Sequence, residues 1–165
     1  MSSQNATLDV PVTSTDVARD PVAEFYRRAD ALFRCAVECC RQHERLCRTV
    51  QREALQTEQR AARALVTLCD QALAELVACY ERAADKAHPS KENGCWRAAN
   101  ALWMAAREYG RRHRTSLRAA RGIADTGEHS TRLAEIALDY DLEASALLLL
   151  RQATENYRKT RPEAA

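Results

Sequence analysis

The ten residues QREALQTEQR, at positions 51–60, decide the fold of this chain. Upstream of them, apolar or small residues recur at 22, 26, 29, 33, 36, 40, 43, 47, 50 and 54, in alternating steps of four and three. That is the period of helices packed along a coiled-coil seam, with His43 interrupting its apolar character. Downstream, a fresh stripe starts at Ala61 and continues through Leu65, Leu68, Ala72 and Leu76. The phase is lost between the two, where Thr57 and Glu58 are polar. A tight turn near residue 57 gives two helices, over about 21–55 and 59–87. An unbroken helix over 21–87 would instead be a rod about 100 Å long, needing a partner chain along half its length. The turn is favoured because two further helical stretches have matching lengths, and equal lengths suit an antiparallel bundle. The expected fold is all-α: an antiparallel up-and-down four-helix bundle with long helices. The alternative is one very long N-terminal helix plus two shorter ones.

The boundaries follow from local chemistry. Asp20-Pro21 is a helix start, with an N-cap acid, proline at the first helical position and Glu24 in the first turn. HPSKENGC (88–95) is the clearest loop, with Pro89, Asn93 and Gly94 as breakers. A third helix is expected over about 95–125. After DTGEHS (125–130) a fourth runs over about 129–160, ahead of Pro162. Residues 1–19 are Ser, Thr, Asp and Val without period and are expected to be a disordered tail. The bundle domain then spans 20–162, and 163–165 is a frayed end.

Four Gly and four Pro in 165 residues, with Ala, Leu, Arg and Glu dominant, exclude a strand-rich fold. A net charge of +2 makes any basic function local and argues against nucleic acid as partner. Of the 25 basic residues, 22 are Arg, the signature of a GC-rich coding sequence, which weakens any argument from arginine choice. No basic, apolar leader precedes Arg19 and the longest apolar run, ALLLL, is far too short to span a membrane. An intracellular, cytoplasmic protein is expected. The odd count of seven cysteines fits a reducing compartment and free thiols.

RCAVECCRQHERLC (34–47) is the segment richest in reactive side chains. Cys40, His43 and Cys47 share one stripe, so three soft ligands could converge on zinc or copper(I). The same stripe packs the core, where Cys is an ordinary small hydrophobe. In its C-x3-C and C-x2-H spacing the segment resembles the cysteine-lined four-helix copper-storage proteins, which carry many more cysteines. If the first hairpin turns near 57, Cys35 faces Cys79 and Cys47 faces Cys69, giving two potential disulfides. That arrangement is similar to the coiled-coil-helix-coiled-coil-helix proteins of the mitochondrial intermembrane space. Here the first spacing is C-x11-C, and Cys39, Cys40 and Cys95 are left over.

REYGRRHRTSLRAAR (107–121) places Arg107, Arg111, Arg114, Arg118 and Arg121 in one line, pointing away from the stripe centred on Leu102. Trp96 and Trp103, with Gly110 continuing their row, lie on that outward side. Either the third helix is buried on two sides near its start, or this is a docking face rich in the residue types favoured at interface hot spots. Internal pairing competes: Arg118 with Glu135, Arg114 with Asp139, and Arg111 near Glu143.

Three stretches share one spacing of small and large residues: Val22/Tyr26/Ala29/Phe33, Ala98/Leu102/Ala105/Tyr109 and Ala146/Leu150/Ala153/Tyr157. The pattern is similar to helices of tetratricopeptide repeats and of the microtubule-interacting-and-transport domain, which bind peptide segments of partner proteins; the tetratricopeptide repeat length is absent. No nucleophile and base stand at a telling spacing, none of the four histidines has a paired acid in sequence, and no phosphate-binding loop is present. No enzyme and no cofactor are expected. The sequence reads as a non-catalytic interaction or scaffold protein, a subunit of a larger assembly, with protein partners or copies of itself. It would dock through Trp96, Trp103, Arg107, Arg111, Arg114, Arg118 and Arg121, or through the coiled-coil stripe. The alternative is a thiol-based metal-binding or disulfide-stapled protein using Cys35, Cys40, His43, Cys47, Cys69 and Cys79.

Overall fold

Four helices run through the computed structural model: α1 Pro21–Gln51, α2 Gln56–Ala87, α3 Gly94–Thr126 and α4 Ser130–Thr160. The structure describes residues 20–88, 90, 93–126 and 130–161, with side chains described outside 120–137. The stretches read as an N-terminal tail and a frayed C-terminus lie outside the described residues.

Each boundary has a local cause. Asp20 caps α1 by accepting from the Val22 amide at 3.0 Å, with Pro21 in the first turn. The helix ends at Gln51, where Glu53 takes a left-handed φ of 51° and the Ala54 amide turns back to the Thr49 carbonyl. An ion pair from Arg52 to Glu58 at 3.1 Å spans the turn. The break therefore falls a few residues before the expected one, and the single-rod alternative is excluded. At the far end of α2, His88 adopts the left-handed C-cap conformation (φ 41°), donating to Ala84. Asn93 caps α3, its Oδ1 accepting from the Cys95 amide at 2.8 Å.

The chain folds as an all-α bundle of two antiparallel hairpins, α1–α2 and α3–α4. α4 lies beside α1, and α3 beside α2, while α1 and α3 meet across the diagonal. Contact is far more extensive within each hairpin than between hairpins. The core is a ladder of large side chains: Phe25, Leu32, Leu73, Tyr80, Leu102, Tyr109, Leu150 and Tyr157 are all essentially inaccessible. Phe25 meets Tyr80 across α1–α2 with ring centroids 5.1 Å apart, and Phe33 meets Tyr157 across α1–α4 at 5.4 Å. Each such burial contributes about 1.5–3 kcal/mol. The Tyr157 hydroxyl reaches Asp30 at 3.0 Å, so the phenol's polar end is satisfied as its ring is buried.

The coiled-coil stripe of α1 is spent inside the chain's own bundle: Ala29, Phe33, Ala36 and Cys40 pack in the core. The recurrent small-and-large spacing likewise serves the core, which includes Leu102, Tyr109, Ala146, Leu150, Ala153 and Tyr157. α4 is apolar around much of its circumference. Leu150 is buried, whereas Leu148 and Leu149 are 55% and 56% exposed, because successive residues lie about 100° apart and four leucines in a row cannot share one face.

Candidate functional site

At mid-height the apolar ladder gives way to a polar centre to which all four helices contribute. His43 comes from α1, Asp70 from α2, Tyr109 and His113 from α3, and Glu143 from α4. Each occupies an inward helical position: Asp70 stands between the core residues Val66 and Leu73, and Glu143 one turn before Ala146 and Leu147. The Tyr109 hydroxyl donates to Asp70 Oδ1 at 2.9 Å and also meets His43 Nε2 at 2.5 Å. His113 Nδ1 pairs with Glu143 Oε1 at 2.7 Å. Its Nε2 lies 3.1 Å from Asp70 Oδ2, a charge contact without hydrogen-bond alignment, so that oxygen is buried without a hydrogen-bond partner.

The environment sets the charges. The hydrogen bond to Glu143 raises the His113 pKa above its ordinary value despite opposing burial, and the nearby Asp70 carboxylate adds to the rise. Burial alone would raise Glu143, but the hydrogen bond from His113 and one from Ser116 hold it below the usual carboxylate value. Burial first, and then Asp70, push the Tyr109 phenol far up, so it stays a donor. The centre thus favours the protonated form of His113, which stands between Glu143 and Asp70. Because its members come from different helices, sliding any helix by one turn, about 5.4 Å, breaks at least one of these contacts.

His43 and His113 therefore meet acids supplied by other helices rather than by neighbours in sequence. Glu143 was detectable as an acid on the apolar row of Leu147 and Leu150, whereas Asp70 lies opposite the α2 stripe read from Ala61 to Leu76, because α2 turns Ala62, Val66, Leu73 and Tyr80 inward instead. His43 is turned into this centre. Cys40 is buried and Cys47 exposed, and all three line a cleft of about 280 Å³ between α1 and α4, with Leu147, Leu148 and Arg151. Among the described residues, no group of three or more His, Cys, Asp or Glu is placed to hold a metal ion.

All seven cysteines are free thiols. The α1–α2 register differs from the expected one because the turn falls earlier. Cys35 lies across from Cys69, its Sγ 3.8 Å from the Cys69 carbonyl oxygen, rather than facing Cys79. Cys47, near the turn, does not reach the level of Cys69.

On α3 the tryptophans serve the fold. Trp96 and Trp103 pack partly buried against the core. Trp103 stacks on Tyr80 with centroids 6.1 Å apart, and its indole N–H donates to Glu81 at 3.1 Å. The guanidinium of Arg107 covers its other side at 5.5 Å. Arg111 folds onto Glu108 at 2.7 Å, and Glu108 also holds Arg112 at 2.8 Å. Those two arginines hold the Glu108 carboxyl down at about 2. Arg111 does not meet Glu143, because it points away from the core while Glu143 points into it, towards His113. The expected pair of Arg114 with Asp139 is not formed; the Asp139 backbone carbonyl accepts from the Ser116 hydroxyl at 3.3 Å. The side chains of Arg121 and Glu135 lie outside the described residues.

Arg107, Arg111, Arg114 and Arg118 are exposed, and the described residues include no acid paired with Arg114 or Arg118. Arg107, Gly110 and Arg114 form one wall of a cleft of about 240 Å³ between α2 and α3, facing Ala74, Ala78 and Glu81. Leu117, 43% exposed, continues the row of Trp96, Trp103 and Gly110 into solvent. No helix among the described residues is long and apolar enough to cross a membrane. No family model, curated protein or solved structure matches this chain.

Proposed function

We propose that this protein is a non-catalytic interaction protein, a subunit of a larger assembly, which docks through the α2–α3 edge onto an acidic helical segment of a partner protein. One observation carries the reading: among the described residues, Arg107, Arg111, Arg112, Arg114 and Arg118 stand along α3 against Glu81, Glu108 and the largely buried Asp70, leaving the edge net positive beside a cleft and an exposed leucine. A basic rim around apolar contacts selects a partner of opposite charge and speeds its encounter. The tryptophans support the edge from inside rather than presenting it. The test is charge reversal: Arg114→Glu with Arg118→Glu abolishes co-purification of the partner while leaving the melting temperature unchanged. Retention of the same partner by the variant contradicts the reading.

A second reading, a thiol-based redox protein, is favoured by one separate observation. Cys35, Cys39 and Cys69 converge on the α1–α2 seam.

A further inference from the structure

Cys35 and Cys39 stand one helical turn apart on α1, and Cys69 faces them from α2. The hairpin register that sets Phe25 against Tyr80 also sets Cys35 against Cys69, with Sγ 3.8 Å from the Cys69 carbonyl oxygen. Cys39 is sealed in the core, whereas Cys35 and Cys69 are only partly buried. The Cys39 thiol donates to Cys35 and holds the Cys35 pKa below its ordinary value, against burial and the Asp70 and Glu38 carboxylates. Cys39 itself is pushed far up, first by that same hydrogen bond and then by burial. Cys39 thus favours the thiolate of Cys35, whose thiol in the resting state donates to the Cys69 carbonyl oxygen.

We propose that Cys35 and Cys69 form a hydroperoxide-oxidisable pair that closes a disulfide across the α1–α2 hairpin. The Cys35 thiolate attacks one peroxide oxygen and the O–O bond breaks. Sulfur becomes a sulfenic acid, and the leaving hydroxide takes the proton released by the Cys35 thiol to form water. The Cys69 thiol then attacks the sulfenic sulfur. The S–O bond breaks, the S–S bond forms, and the hydroxyl leaves with the Cys69 proton as a second water. Two thiols are oxidised and one hydroperoxide is reduced. Cys39 cannot serve as the resolving thiol, because residues one turn apart on a helix hold their Cβ atoms about 5–6 Å apart. A disulfide needs Cβ atoms roughly 3.5–4.5 Å apart. The inference deepens the thiol reading and does not depend on the docking edge.

The experiment treats the reduced full-length protein with hydrogen peroxide, blocks remaining thiols with N-ethylmaleimide, and maps linkages by fragmentation under non-reducing conditions. The expected result is loss of two hydrogens, recovered by dithiothreitol, with the link placed between Cys35 and Cys69. Cys39→Ser keeps the link. Cys69→Ser stops at a Cys35 sulfenic acid that dimedone traps. Linkage of any other pair overturns this assignment while leaving a thiol role standing, and a wild-type protein that forms no link overturns both.

Discussion

The hydroxyl of Tyr109 on α3 donates to the carboxylate of Asp70 on α2 at 2.9 Å, joining the two hairpins within the polar centre of the core. Tyr109 is fully buried and the Asp70 side chain only 9% exposed, so water cannot replace this bond. Tyr109→Phe keeps the ring packing and deletes the donor. A hydrogen bond to a buried charged group is worth about 1.5–3 kcal/mol, and the substitution should lower stability by that amount in urea unfolding. A loss no larger than that of an exposed Tyr→Phe change, such as Tyr140→Phe, would show the bond to be idle.

The same centre gives stability a definite pH dependence. The folded-state pKa of His113 is raised above 6.5, so its contribution is whole below that pH and fades as pH climbs through the folded value. Glu143 is held below 4.5, so its contribution is whole above that and fades as pH falls through its folded value. Both shifts describe one ion pair and count once. Melting temperature is therefore expected to peak between about 4.5 and 6.5 and to decline on the alkaline side. His113→Gln should flatten that alkaline decline, which thermal melts in a pH series would reveal.

The four leucines at 147–150 divide sharply. Leu150 is completely buried, so Leu150→Ala should cost roughly 2–5 kcal/mol. Leu149 is 56% exposed, and Leu149→Ala should stay within about 0.5 kcal/mol of wild type. Chemical denaturation of the two variants side by side checks the placement of α4.

Gly110 sits in the middle of α3, where glycine weakens a helix. A Cβ built there meets only Arg114 Nη1, at 3.5 Å, an ordinary contact with a movable side chain. Gly110→Ala should therefore stabilise the protein by roughly 0.5–1 kcal/mol. A destabilised variant would mean that the cleft wall at Gly110 is closed by something larger.

The helices were legible because their signals are local. Asp20-Pro21 and Asn93-Gly94 act on the adjacent backbone, and the stripe through Ala29, Phe33 and Ala36 fixes which face of α1 turns inward. The α1–α2 register was not, because it depends on where the turn falls. QREALQTEQR has no Gly or Pro to mark that place, and Glu53 supplies the left-handed residue instead. The polar centre was hidden for another reason. Its members lie 27 to 100 positions apart in pairs such as His43–Asp70 and His43–Glu143, so sequence spacing cannot bring them together. An acid among the apolar residues of α4 marked Glu143, but Asp70 stands opposite the stripe read in α2, and only the packing of four helices showed the partners. For the arginine line, sequence showed its direction but not that Glu108, three and four residues earlier on the same helix, would hold Arg111 and Arg112.

The docking edge is tested most directly by photo-crosslinking from two exposed positions in cells. A photoreactive residue replaces Leu117 on the α3 edge in one variant and Leu149 on the outer face of α4 in another, both side chains being well exposed. The account predicts that the partner is captured from position 117 and not from 149, and that Arg114→Glu with Arg118→Glu abolishes the capture. Capture from 149 alone, or capture from 117 that survives the charge reversal, would contradict it.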